Sequence, residues 1–241
     1  MIADTREPAH PGLTVGLITG LASEVEALGS LEPNCEVRCA GARANRAEAH
    51  ARELIHEGAD GLISFGIAGG LIPDLPPGSL VLADWVIGAE GGQAYACDGA
   101  WRNRIRDAVV AADPTIQVKG GGLTGSNAMI ASSAGKAALQ QKSGAVAVDM
   151  ESAAVARVAA EAGKPFVVVR AVADPAERTI PAWLSDSVNE AGEPRYAHVI
   201  TNLAIRPWSV PALIRVASDS EKALETLRRV ALFSRPLFHL L

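Results

Sequence analysis

Short apolar runs rich in β-branched residues recur along this chain, and helical stretches separate most of them. Runs of this length, bounded by glycine or proline, predict buried strands. Strands that alternate with helices predict an α/β fold built in layers. The predicted strands cover residues 13–19, 35–40, 62–65, 79–87, 115–123, 145–149 and 166–173, and the main predicted helices cover residues 45–57, 101–112, 132–142 and 152–162, with a short helical stretch through Leu28.

The length of 241 residues fits one α/β domain or two small ones, and we predict a single domain over residues 1–241. Residues 1–12 are polar and are expected to be loose. Residues 175–241 form a variable C-terminal part, with five prolines between residues 175 and 211 and a helical region that follows them to about residue 232.

Composition argues against several classes of protein. A net charge of −5 and a pI near 5.6 are atypical of nucleic-acid binding. The three cysteines, Cys35, Cys39 and Cys97, have no paired spacing, which indicates a reducing compartment. No Cys/His cluster has zinc spacing, so we expect no metal. We see neither a signal peptide nor a transmembrane run, and we expect a cytoplasmic protein.

Three acids stand just after predicted strands or open the helices that follow them. They are Glu24, Glu151 and Asp174. Ligands of open α/β sheets bind at the carboxyl ends of strands, so three acids at one sheet edge indicate a functional site. Each acid also has a structural alternative: a first-turn helix acid, a helix start with Asp149 as its N-cap, and a turn before Pro175.

Two further segments follow predicted strands. Residues 66–70 (GIAGG) are expected to form a glycine-rich loop, which either approaches a ligand or only turns the chain. The segment lacks both the dinucleotide-binding pattern and the P-loop lysine. Residues 126–130 (SNAMI) follow another strand, and Met129 alone is more typical of a core residue.

Five segments, in order and spacing, resemble the purine nucleoside phosphorylase and methylthioadenosine nucleosidase superfamily. The resemblance covers roughly residues 13–174, and the Met-Glu signature is its most specific element. The matching segments are residues 20–25 (GLASEV), 40–45 (AGARAN), 65–70 (FGIAGG), 148–154 (VDMESAA) and 170–174 (RAVAD). The resemblance implies a three-layer α/β/α fold with a mixed central sheet, nucleoside phosphorylase-like, in an enzyme that cleaves N-glycosidic bonds.

The resemblance also implies a role for each acid. Asp174 would protonate N7 of the purine, Glu151 would accept hydrogen bonds from the ribose hydroxyls, and Glu24 would orient or deprotonate the attacking water. No cofactor is implied, apart from phosphate as an alternative co-substrate, and a homo-oligomer is expected. The other implied substrate-binding residues are Met129, Ile130, Met150, Ala68 and Gly69.

Within the superfamily the chain looks closest to the hopanoid-associated phosphorylases, which are thought to remove adenine from adenosylhopane. Alternatives are a methylthioadenosine or adenosylhomocysteine nucleosidase, a general purine nucleoside phosphorylase and a non-catalytic nucleoside-binding protein. Four positions depart from the nucleosidase pattern and make the expected pocket larger or more apolar: Ile67 and Ala173 for serines, Met129 for phenylalanine and Asn127 for aspartate.

The sequence leaves the nucleophile open between water and phosphate. Arg43 and Gly20 are the candidate phosphate-binding residues, and the other candidate cations are Arg46 and Arg170. Glu24 opposes phosphate, because a carboxylate about 4 Å from a phosphate oxygen costs about 4 kcal/mol at an intermediate dielectric.

Apolar residues are frequent in the C-terminal third. They either pack on the sheet, form an oligomer contact or line a groove for a long apolar substrate. They are Trp183, Leu184, Ile200, Leu203, Ile205, Trp208, Leu213 and Ile214. Residues 232–241 are apolar, and with Arg228, Arg229 and Arg235 they are expected to make at most a reversible contact with a membrane surface.

Overall fold

The computed structural model describes residues 15–181, 183–184, 187, 189 and 191–233. It confirms the predicted fold class: a mixed central sheet flanked by helices. Its strands are β1 (Val15–Thr19), β2 (Cys35–Cys39), β3 (Gly61–Gly70), β4 (Leu80–Leu82), β5 (Trp85–Ile87), β6 (Ala94–Ala96), β7 (Val118–Lys119), β8 (Gly122–Gly125), β9 (Ala147–Asp149) and β10 (Phe166–Asp174). Its helices are α1 (Ala22–Leu28), α2 (Ala44–His56), α3 (Gly99–Ala112), α4 (Ser133–Ser143), α5 (Ser152–Glu161), α6 (Tyr196–Ile205) and α7 (Val210–Phe233).

The sheet is organised around β3 and β10. The main strand order is β6-β5-β8-β9-β3-β10-β4-β7, and β1 joins at β3 with β2 on its outer side. β3 runs parallel to β1 and β10 but antiparallel to β9, which makes the sheet mixed. The carboxyl ends of β1, β3 and β10 therefore lie at one edge.

Alternate residues of the long strands enter different apolar clusters, as the two-residue period of a strand requires. In β10, Val167 and Val169 belong to a cluster that includes Trp101 of α3 and Leu227 of α7. Val168 of the same strand belongs to a second cluster, which contains residues of α2 and α5. Because both faces are covered, β10 reads as a continuous apolar run rather than an alternating one.

The predicted loop over residues 66–70 is wrong, because these residues are the second half of β3. Their backbone pairs with β10 as far as Gly69, opposite Asp174, and Gly69 and Gly70 also pair with β9. The glycines serve close approach and not a turn. A Cβ at Gly66 would lie 2.5 Å from the side chains of both Arg170 and Glu24.

Two long predicted strands are each divided in the structure. Residues 79–87 form β4 and β5, which pair with different partners: β4 with β10 and β7, and β5 with β6 and β8. Residues 115–123 divide in the same way, and Gly121, with φ of 127°, lies between β7 and β8. Each of these chain segments thus contributes to two places in one sheet. Strand β6 was not predicted from the sequence.

The C-terminal part is helical, as predicted, but its first helix is poorly covered. No residue of α6 is buried, and Ile200, Ile205, Trp208 and Ile214 are exposed. The expectation that the apolar residues of this part pack on the sheet is therefore wrong for these four side chains. Within the described residues, no helix combines the length and hydropathy needed to cross a membrane. The loose start (residues 1–12) and the tail beyond residue 233 lie outside the described residues.

Candidate active site

A cavity of about 800 Å³ opens at the carboxyl ends of β1, β3, β9 and β10. Ten of the residues proposed from the sequence line it, although they come from six separate segments of the chain, whereas the other candidate cations, Arg46 and Arg170, are not among its lining residues. The first and the last of the ten, Gly20 and Asp174, are 154 positions apart in the sequence, and the sheet edge brings them together. They are Gly20, Glu24, Arg43, Ala68, Gly69, Met129, Ile130, Met150, Glu151 and Asp174.

A fully buried arginine, Arg170 of β10, organises one side of this cavity. Its Nε lies 2.7 Å from an Asp149 carboxylate oxygen, and its Nη2 lies 3.1 Å from Glu151. The same guanidinium donates to Ser64 Oγ at 2.6 Å and to the carbonyl oxygen of Ile67 at 3.2 Å. Arg170 is therefore a poor candidate for binding phosphate, because it is fully buried and faces two carboxylates.

Glu151 stands at the start of α5 with its carboxylate almost fully buried. Burial raises the pKa of Glu151, and the adjacent Arg170 opposes that rise. A Cβ at Gly20 would lie 2.9 Å from Glu151 Oε1, so glycine at position 20 leaves room for this carboxylate. The expectation that Asp149 is the N-cap is wrong, because the N-cap residue of α5 is Glu151. Asp149 still supports the start of the helix, since its Oδ1 accepts a hydrogen bond from the Ser152 N–H at 3.1 Å.

Glu24 lies in the first turn of α1 and is also buried. One oxygen accepts from the backbone N–H groups of Gly20 and Leu21, at 2.6 and 2.9 Å, and the other accepts from Ile67 N–H at 2.8 Å. Burial raises the pKa of Glu24, while Arg170 and these hydrogen bonds oppose the rise. The helix-start role and the cavity role weighed as alternatives thus coexist in one side chain.

Asp174 ends β10 on the other side of the cavity, with 18% of its side chain exposed. Burial raises its pKa to about 6, although Lys136 of α4 forms an ion pair with its carboxylate and opposes that rise. Lys136 is fully buried and is the site residue that the sequence reasoning missed. Its one signal in the sequence was a lysine among the small residues of SAGKAALQ.

The remaining walls come from loops. Met129 and Ile130 precede α4, and Met150 lies between β9 and α5. Arg43 is exposed at the start of α2, after a loop in which Ala42 has a φ of 55° and donates its N–H to the carbonyl oxygen of Gly20. Leu184 reaches the cavity from the C-terminal part.

An α/β fold with buried acids around a nucleoside-sized cavity at its strand ends is the architecture of a nucleoside phosphorylase or nucleosidase. Residues 37–205 match the profile of the Phosphorylase superfamily. Because that match spans more than half of the chain, the protein belongs to the Phosphorylase superfamily and is an enzyme of that group. Cleavage of the N-glycosidic bond of purine nucleosides is typical of this superfamily.

Solved structures share the fold at low sequence identity. A 5'-methylthioadenosine/S-adenosylhomocysteine nucleosidase of Neisseria meningitidis, in complex with methylthio-immucillin-A, is 20% identical with a TM-score of 0.70, over 90% of this chain and 96% of that chain. A mutant nucleosidase of Helicobacter pylori with 5'-methylthioadenosine in its active site is 17% identical with a TM-score of 0.68, over 91% and 96%. Futalosine hydrolase of Helicobacter pylori is 16% identical with a TM-score of 0.68, over 90% and 94%.

Proposed function

We propose that this enzyme removes the base from a purine nucleoside, with Asp174 as the acid, Glu151 at the ribose and Glu24 at the nucleophile. The observation that carries the proposal is the convergence of three acids on one cavity from three different strand ends, Glu24 and Glu151 buried and Asp174 partly buried. Binding alone does not require three acids in one site, so a non-catalytic nucleoside-binding protein is the weaker interpretation.

Asp174 has the position and the acidity of a proton donor. The C1'–N9 bond breaks with its electron pair moving onto the purine, and Asp174 places its proton on N7, so that the base leaves neutral. A pKa of about 6 keeps part of the carboxyl protonated at neutral pH and still makes it a good donor. Met129 and Ile130 line the same region and are proposed to hold the base.

Glu151 is proposed to accept hydrogen bonds from the ribose hydroxyls, with Met150 beneath the sugar. Positive charge develops on the ribose as the bond breaks, and a preorganised carboxylate stabilises that charge where it forms. The contact from Arg170 holds the Glu151 carboxylate in place. The carboxylate is held before the substrate binds, because its ion pair with the buried Arg170 fixes it.

Water is the nucleophile that the charges favour. Glu24 lines the cavity together with Gly20, and Arg170 is fully buried against the carboxylates of Asp149 and Glu151. Arg43 at the cavity lining supports phosphorolysis as the second candidate, with Gly20 as its backbone partner. Adenine release in the presence and absence of phosphate decides between them. Phosphate-dependent release that Arg43→Ala abolishes would establish phosphorolysis, and release without phosphate would establish hydrolysis.

The substrate proposed is an adenine nucleoside with a long apolar 5' substituent, and adenosylhopane is the compound we would test first. Support comes from Leu184 at the cavity and from the exposed apolar side chains that follow it on α6, such as Ile200. The alternative is 5'-methylthioadenosine, which is the ligand in a solved nucleosidase of the same fold.

The deciding experiment measures adenine released from adenosylhopane and from 5'-methylthioadenosine by the purified protein. Release from adenosylhopane alone would support the lipid-linked substrate. Fast release from 5'-methylthioadenosine would instead make this protein an ordinary nucleosidase. Release from neither compound, in a folded protein, would contradict the proposed substrates.

A further inference from the structure

Lys136 is a fully buried lysine, and its polar contacts are with Asp174 at the end of β10 and with the residues that follow it. Its Nζ forms an ion pair with the Asp174 carboxylate. The same nitrogen donates to the backbone carbonyl oxygens of Pro175 at 2.9 Å and Arg178 at 3.2 Å. A lysine ammonium has three donors and no acceptor, so one carboxylate and two carbonyls satisfy it completely. Its contact with the carbonyl of Asp174 itself is longer, at 3.4 Å.

Packing by itself does not explain this residue. Removing an ammonium from water costs several kcal/mol, and an apolar side chain of similar volume on α4 would avoid that cost. Lysine is almost never fully buried unless it is paired. The cost of burying Lys136 is therefore offset by what its charge and its donors do for Asp174 and the turn that follows.

We propose that Lys136 is the positioning residue of Asp174: it ties the end of β10 to α4 and acts as counter-ion to the carboxylate that remains after Asp174 has given up its proton. This inference rests on the proposed function, in which Asp174 is the acid. The ammonium itself gains and loses no proton in the step. It stabilises the carboxylate product of the transfer and so strengthens Asp174 as a donor.

Other charges near Asp174 largely balance each other. Arg178, after β10, lowers the pKa of Asp174, and Asp219 of α7 raises it. These two groups form their own ion pair at 2.7 Å. Lys136 is the larger influence of the two cations on the carboxyl. Removing its charge is therefore expected to raise the pKa of Asp174, because burial would then lose the main charge that opposes it.

The test is the pH dependence of kcat/KM for Lys136→Met and Lys136→Arg. The wild-type rate falls on the alkaline side as Asp174 loses its proton. In Lys136→Met this fall is expected to move to higher pH by about one unit or more, the usual effect of an opposite charge at this range. We also expect kcat to drop by up to about 100-fold, as for a catalytic group misplaced by about 1 Å. Lys136→Arg keeps the charge and is expected to keep the wild-type alkaline limb.

Lys142→Met is the matched control, because Lys142 is an exposed lysine near the end of the same helix. Should Lys136→Met fail to fold, Lys136→Gln keeps two amide donors without the charge and gives the same comparison. A lower kcat with an unmoved alkaline limb in the neutral variants would mean a purely structural role and would overturn the inference.

Asp174→Asn separates this inference from the proposed function. Normal turnover by Asp174→Asn would remove Asp174 as the acid and the role of Lys136 with it. If Asp174→Asn is inactive but the alkaline limb stays in place in Lys136→Met, only the role of Lys136 is wrong.

Discussion

Two fully buried cations, Arg170 and Lys136, support different acids of the same cavity in different ways. Arg170 pairs with two carboxylates, Asp149 and Glu151, and lies close enough to Glu24 to oppose the rise in pKa that burial causes there. Lys136 pairs with one carboxylate, that of Asp174. The side around Arg170 therefore has more carboxyl groups than cations, whereas the side around Lys136 pairs one carboxyl group with one cation.

This difference matches the two kinds of charge that the proposed reaction develops. A cationic sugar is stabilised by excess carboxylate charge, and a leaving base needs one proton from a tuned acid. The planar, permanently charged guanidinium suits a fixed array of several acceptors, while the ammonium is a compact point charge beside one titrating group. Variants at the two cations and at their partners test whether the two cations have these different roles.

The largest expected effect is on stability, in Arg170→Met. The change leaves Asp149 and Glu151 buried without their common cation, and breaking a buried pair costs about 3–5 kcal/mol. Thermal or urea unfolding measures the loss. Arg157→Met is the control, because Arg157 pairs with Glu48 and Glu161 on the surface of α5 and its loss should cost at most about 1 kcal/mol. Equal stability of the two variants would contradict the proposed scaffold role of Arg170.

The next effect is on turnover, in Asp174→Asn. Loss of the proton donor is expected to lower kcat by about 10²–10⁴-fold. Binding should change less, because the amide keeps the size of the side chain. Single-turnover rates and the affinity for a non-cleaved nucleoside analogue measure the two quantities separately. Near-normal kcat in a folded Asp174→Asn variant would rule out the acid role.

A smaller effect is expected in Glu151→Gln. The amide keeps the shape but loses the charge at the ribose, and a hydrogen bond to a charged group contributes about 1.5–3 kcal/mol. The expected fall in kcat/KM is therefore roughly 10- to 150-fold. A 2'-deoxy substrate completes a double-mutant cycle. Removing the 2'-hydroxyl should lower kcat/KM less in Glu151→Gln than in the wild-type enzyme. If Glu151→Gln lowers kcat/KM equally for the ribose and the 2'-deoxy substrate, Glu151 does not contact the 2'-hydroxyl.

The mildest test changes only the pH. Asp174 has a raised pKa, to about 6, and works in its protonated form, so loss of its proton should lower kcat/KM as the pH rises through that value. Glu24 and Glu151 are proposed to work as carboxylates and burial raises their pKa values, so their protonation should lower kcat/KM on the acidic side. The fall on the alkaline side should approach tenfold per pH unit. Asp174→Asn, assayed for its residual activity, should lack this limb. An unchanged alkaline limb in that variant would assign the titration to another group.

Much of this site was predictable because the same local pattern, an apolar strand followed by an acid, recurs along the chain. Apolar runs of strand length identify β1, β3 and β10, and the carboxyl ends of parallel neighbours must share an edge. An acid placed just beyond such a run, as Asp174 is, can therefore be assigned to the site from spacing alone. Glu151 also follows a predicted strand, and the role assigned to it came from the resemblance of its Met-Glu signature to the superfamily.

Other features depend on partners far away in the chain. Residues 66–70 look like a loop because glycine is common in turns, yet pairing with β10 and β9 extends them as a strand. Arg170 looked like a candidate anion ligand until the fold surrounded it with Asp149 and Glu151. Residues 79–87 look like one strand, and only the sheet shows that they serve two separate sets of partners.

By itself the sequence determined the layered α/β fold and which acids stand at the strand ends, because strand length, apolar pattern and chain position are local properties. The tertiary structure alone decided that Arg170 is a scaffold cation, that Lys136 lies beneath Asp174 and that all the acids face one cavity. The physical reason is that the role of a charge depends on its burial and on its nearest opposite charge, and both are set by residues distant in sequence.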